Sequence, residues 1–180
     1  MINKTTQKGV GLVEVLVALL ILALGVLGFA ALQLRALDAA QEATEQTVAM
    51  NTARDLAERM RVNRTALTTY ITTINAQTID TSKLKCTGAT NVSAIPTTIK
   101  KELPTCNSES MAEHDATEIL QKASDHDQRI IVTGCVGSAM DCIYVAWADT
   151  AFPSADISQC VDTTTGTYIA NSKCLVMEAF

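Results

Sequence analysis

The chain reads as an α+β protein, a long N-terminal helix packed on an antiparallel β-sheet head. Three observations predict it. An apolar run of helix length opens the 180-residue sequence. A polar and then one-sided helical pattern continues straight out of that run. Short strand patterns and all six cysteines, from Cys86 on, appear only after that helical pattern.

The opening segment sets the organisation. Met1 to Lys8 are polar and carry Lys4 and Lys8; Gly9 follows, then Val10-Gly11-Leu12-Val13-Glu14. From Val15 to Leu34 twenty residues carry no charge. As a helix that run spans about 30 Å, the thickness of a bilayer's hydrocarbon core. Lysines precede the span and, after Arg35, no Lys or Arg follows for many residues, which places the N-terminus in the cytoplasm. A secretory signal peptide is a poorer match. The apolar run is longer than the usual ~7–15 residues and ends in Gln33-Leu34-Arg35-Ala36-Leu37 without an Ala-x-Ala site. A plain anchor leaves Glu14 unexplained, because a carboxylate at membrane depth is costly and calls for a partner.

The string Lys8-Gly9-Val10-Gly11-Leu12-Val13-Glu14-Val15-Leu16-Val17-Ala18-Leu19 resembles the class III leader of type IV pilins and pseudopilins. The resemblance implies a leader at residues 1–9, cleavage by prepilin peptidase between Gly9 and Val10, and N-methylation of Val10. It also implies that Glu14 is the assembly glutamate, paired with the α-amino group of a neighbouring subunit. Such a buried pair sets register more than it adds stability. The sequence departs from the common pattern at Val10, where Phe is usual, and at Gly11, where Thr is common. Both departures favour a minor pilin over a major one.

The remaining divisions follow: a transmembrane helix at 10–34, its continuation into the head at 35–64, and a periplasmic head at 65–180. Asp38 to Thr47 are polar on most faces. Ala49, Ala53, Leu56 and Met60 then recur at helical spacing as one apolar stripe. Arg54–Glu58 and Asp55–Arg59 are i,i+4 opposite-charge pairs, expected on the exposed side. Arg59, Arg61 and Arg64 cluster where a helix C-terminus favours cations. A single helix from about Val10 to Asn63 would be about 80 Å long. Gly25 and Gly28 fit either close helix packing in a membrane or a weak point that unwinds in a filament.

Thr65 to Thr105, with Cys86, Gly88, Pro96 and Pro104, reads as a long, mostly irregular connection with a short strand near Tyr70–Ile74. A second helix is expected at about Met111–Ser124, opened by a capping box of Ser110 and Glu113, with Ala112, Ala116, Ile119 and Ala123 on one face. Strands are expected at Arg129–Thr133 and Ile143–Ala148, with a turn beginning at Gly134-Cys135-Val136-Gly137-Ser138. Ile143, Val145 and Trp147 alternate with Tyr144, Ala146 and Ala148, so one side of that strand is expected to be core. Tyr168–Ile169 and Cys174–Met177 are candidate final strands.

Six cysteines beyond an export segment indicate disulfides in an oxidising compartment. Their order suggests Cys86–Cys106, Cys135–Cys142 and Cys160–Cys174, although fifteen connectivities are possible. Cys135–Cys142 follows most naturally, as six residues between two strands make a hairpin. Short loops of this kind gain about 2–3 kcal/mol each.

Composition and motifs weigh against several functions. The formal net charge is −5, and residues 65–180 hold seven Lys/Arg against thirteen Asp/Glu, which disfavours bulk nucleic-acid binding. No cysteine spacing matches a zinc site. His114-Asp115 and Asp125-His126-Asp127 could ligate a metal but read as solvated residues around a surface helix. Asp141, Asp149 and Asp156 lack the ordered EF-hand pattern. No nucleophile elbow, phosphate loop or dinucleotide fingerprint occurs, so no catalytic residue, metal or cofactor is expected.

Within the pilin-like class, Val15 to Leu32 and Asp55-Leu56-Ala57-Glu58-Arg59-Met60-Arg61-Val62-Asn63-Arg64 resemble the PilV type of minor pilin. The resemblance implies an inner-membrane, single-pass subunit that joins other minor pilins and the major pilin through helix packing. It would prime pilus assembly near the tip and support twitching motility and attachment. The alternatives are a minor pseudopilin of a type II secretion system and a membrane-anchored periplasmic binding protein or adhesin.

Overall fold

A computed structural model describes Gly9, Gly11–Cys86 and Thr105–Ala179. The residues divide into two units, Met1–Thr44 and Glu45–Phe180. The cleavage and methylation residue Val10, the leader lysines, Gly88, Pro96 and Pro104 lie outside the described residues.

The first helix, α1, runs Leu12–Val62. Within the first unit it is unbroken through Gly25 and Gly28, and a Cβ built at either glycine meets no heavy atom within 4 Å. Its large apolar side chains are exposed there, Leu12 by 80% and Leu32 by 70%.

In the second unit the same helix changes character. Ala49, Ala53, Leu56 and Met60 are buried, so the stripe expected from the sequence faces a core. Burying Leu56 and Met60 contributes about 1.5–3 kcal/mol each. Helix α2, Leu67–Asn75, follows where an irregular connection with a strand was expected. Leu67, Tyr70, Ile71 and Ile74 share one helical face at i, i+3, i+4 and i+7, and all four join the core. The intervening threonines imitate strand composition, but packing of that face on the core overrides their β preference.

Helix α3 spans Ser108–Asp125. Its cap is Asn107, whose side chain accepts the Ser110 N–H at 2.8 Å, rather than the Ser110–Glu113 box. Ser110 already lies inside the helix, because Asn107 caps it one turn earlier by accepting the Ser110 N–H. Ala112, Ala116, Ile119 and Ala123 are all buried on one face.

Strands β1 (Arg129–Gly134), β2 (Asp141–Ala146) and β3 (Cys174–Glu178) form an antiparallel sheet in the order β1-β2-β3. Ile130 pairs with Val145, and Val145 with Leu175. The β1–β2 turn needs a left-handed residue, supplied by Gly137 at φ 78°. Tyr168 makes only an isolated bridge to Val161.

Both faces of β2 are buried, where only one was expected. Ile143, Val145 and Trp147 join Ile130, Val132 and Leu175 beneath the helices. Tyr144 and Ala146 join Ile131, Phe152, Ile157, Cys160 and Val161 in a second cluster. The residues between β2 and β3 fold back over the outer face. That covering is a tertiary event which the strand's alternation does not encode.

Three disulfides join Cys86 to Cys106, Cys135 to Cys142 and Cys160 to Cys174. The first ties the end of the α2 connection to the approach to α3. The second closes the β1–β2 hairpin. The third fastens the covering segment to the edge strand.

Candidate assembly site

The helix of the first unit carries one carboxylate in its first turn, Glu14. Gly9 and Gly11 are exposed and precede α1. The Gly11 carbonyl accepts the N–H groups of Glu14 and Val15 at 3.0 and 3.3 Å, which starts the helix. Glu14 stands exposed in the first turn, where the helix dipole favours a negative charge. The segment after it, through Leu37, presents large apolar side chains such as Leu16, Leu27 and Phe29 with more than half their surface open. This helix is long and apolar enough to cross a membrane. A surface of this size without internal partners needs lipid or neighbouring helices around it.

The head half of α1 is held by a polar clamp. Arg59 Nε donates to Asp55 Oδ1 at 2.7 Å, and Nη1 donates to Asp115 Oδ1 and Glu118 Oε2, both at 2.8 Å. The Tyr70 hydroxyl donates to the other Asp115 oxygen at 2.6 Å, and Lys122 Nζ donates to Asp55 Oδ2 at 2.9 Å. Asn63 Nδ2 donates to the Ser108 carbonyl at 2.7 Å, and the two side chains also hydrogen-bond. Residues of α1 and α3, joined by Tyr70 of α2 through Asp115, thus meet at one guanidinium. Its planar fork serves three carboxylates at once, which an ammonium cannot match geometrically.

The electrostatics follow. Burial pushes the Asp55 carboxyl up, but its bonds to Arg59 and Lys122 outweigh burial and hold it below the ordinary range. The Arg59 bond lowers Glu118 likewise. Burial opposes the Arg59 charge, yet Asp55 and Glu118 raise its pKa further. Burial, and then the bond to Asp115, push the Tyr70 phenol well up.

The sequence pairs are rearranged accordingly. Asp55–Arg59 forms but is half-buried in this network, because α3 brings further carboxylates over it. Glu58 meets Arg61 at 3.7 Å rather than Arg54, because i,i+3 neighbours share a face as i,i+4 neighbours do. His114 is 3% exposed, not solvated, and its Nδ1 accepts the Cys86 N–H at 3.4 Å. Asp115, its neighbour, belongs to the clamp. Among the described residues no three His, Cys, Asp or Glu side chains are grouped to hold a metal. The contributions of Tyr70, Asp115 and Glu118 were missed. The i, i+3 spacing of Asp115 and Glu118 was visible, but not what it would face.

Residues 31–117 match the family model described as type IV pilin Tt1218, and residues 4–30 match the prokaryotic N-terminal methylation motif. No curated protein and no solved structure matches the chain. The methylation motif and the apolar helix it overlaps fit a membrane-anchored pilin. With a long helix joined to a three-stranded antiparallel head, the chain is a type IV pilin-like protein.

Proposed function

We propose that this chain is a minor type IV pilin that helps to prime pilus assembly within a minor-pilin complex, supporting twitching motility and attachment. One observation carries the reading. A carboxylate, Glu14, opens a helix whose large apolar side chains from Leu12 through Leu37 stand exposed. Prepilin peptidase would cut between Gly9 and Val10 on the cytoplasmic side, and the new α-amino group would be methylated. Glu14 would then pair with the Val10 terminus of a neighbour. In a low-dielectric membrane the unpaired carboxylate is costly, so the offset that pairs it is selected. Gly25 and Gly28 leave room for a neighbouring helix to approach closely. Other minor pilins and the major pilin are the partners, with the head periplasmic and the assembled subunit near the pilus tip. The departures at Val10 and Gly11 support the minor role.

Mass spectrometry of the N-terminal peptide from native membranes, with and without the peptidase, tests the maturation step. A peptidase-dependent methylated Val10 is expected, and an intact Met1 terminus would overturn it. A deletion strain separates the pilus from the secretion alternative. Loss of surface pili with secretion intact supports the proposal, and the reverse supports a pseudopilin.

A further inference from the structure

Helix α1 carries a charged seam along the first unit. Glu14, Arg35 and Glu42 stand at whole heptads from one another, with Ile21 and Gly28 at the steps between. Helices that pack side by side at about 20° keep one face together at that repeat. Ile21 is 64% exposed, and a Cβ at Gly28 would meet nothing within 4 Å. The seam is open along its apolar part and charged at both ends.

Arg35 stands exposed where the uncharged run ends, and Glu42 is half-buried two turns further on. About 10 Å of helix axis separates them. Ion pairs within one helix join i,i+3 or i,i+4 neighbours, and Arg35 belongs to no ion pair among the described residues. A parallel neighbour displaced outward brings its Arg35 towards this Glu42. The displacement that sets a neighbour's Val10 beside Glu14, about 6 Å, puts the neighbour's Arg35 level with Ala39. Glu42 lies about 4.5 Å beyond that level, within reach of an arginine side chain. Asp38 adds its negative field from the flank of the seam. One displacement therefore serves both ends, and the charges of the seam complement those of an identical chain.

We propose that α1 docks on a second copy of this chain, parallel and displaced outward by about one to two turns, through an ion pair between Arg35 of one copy and Glu42 of the other. The pair sits just outside the hydrocarbon core, beside the apolar part of the seam. The contact is heterologous, so it can repeat from copy to copy. The inference rests on the assembly reading above and adds an ion pair that fixes its register.

The test is sedimentation equilibrium of the chain purified from native membranes into dodecyl maltoside. Self-association is expected and should weaken as salt rises. Arg35→Glu or Glu42→Arg should each weaken it about tenfold, since an attraction becomes a repulsion. The double variant, Arg35→Glu with Glu42→Arg, should restore it, which a contact of Arg35 with lipid phosphate would not do. Ala40→Arg, on the opposite face of the helix, should leave it unchanged. The inference is overturned by absence of self-association, by single variants without effect, by failure of the double variant to restore it, or by an equal loss with Ala40→Arg. Glu14→Gln separates this inference from the assembly reading. An association weakened by Glu14→Gln but indifferent to Arg35 and Glu42 sinks the ion pair alone.

Discussion

The Arg59 Nη1 donates to Asp115 Oδ1 at 2.8 Å, across 56 residues of sequence. This contact fastens the head half of α1 to α3. Without the guanidinium, Asp55, Asp115 and Glu118 would face one another with only Lys122 to balance them. Arg59→Leu should cost about 2 kcal/mol, below the roughly 3–5 kcal/mol of a fully buried pair because water reaches the group. Tyr70→Phe should cost about 1 kcal/mol. Denaturant titration of the full chain in detergent, followed by circular dichroism of the head's aromatic residues, measures both.

Stability should fall at both pH extremes, for different groups. Asp55 and Glu118 have carboxyls held below their ordinary range, so their stabilisation is complete above the unfolded value. It is lost as pH falls through about 4 and below. The Tyr70 phenol is raised, so its contribution is complete below about pH 10 and is lost as pH rises past it. A melting-temperature profile against pH should show both shoulders. Tyr70→Phe should reduce the alkaline one without abolishing it, because Lys122 and Tyr144 are raised as well.

Replacing Cys160 and Cys174 together with serine should cost about 3 kcal/mol, as their loop spans 14 residues. The loss should be local. Cys160 anchors the segment covering Tyr144 and Ala146, so hydrogen exchange should rise first at Phe152–Val161 and β3, while α1 and α3 stay protected. Uniform loss of protection would contradict this assignment.

Asn75 closes the outer edge of β1. Its Nδ2 donates to the Val132 carbonyl at 2.7 Å, and its Oδ1 accepts the Val132 N–H at 2.9 Å. Gln77 adds a bond to the Ile130 carbonyl at 2.6 Å. Asn75→Ala should cost about 1–3 kcal/mol and leave a strand edge able to pair with another chain. Light scattering at rising concentration should detect the association.

The elements differ in how openly the sequence announced them. The apolar helix, the alternation in β1 and β2, and the buried face of α3 follow from local periodicity, which needs no knowledge of neighbours. The α2 helix did not declare itself, because Thr68, Thr69, Thr72 and Thr73 carry a strand-like composition and only burial of Tyr70 and Ile74 decides the matter. Asn75 and Gln77 looked like loop polars until β1 was laid beside them.

Sequence periodicity determined the long apolar helix, the buried face of α3 and the strands β1 and β2, because those depend on residues within a few turns of one another. Tertiary structure alone decided which charges meet at Arg59, which edge Asn75 seals and how the second face of β2 is covered. Each of those rests on groups far apart in the chain, brought together only when burial of the apolar faces outweighs the entropy of closing the loops between them.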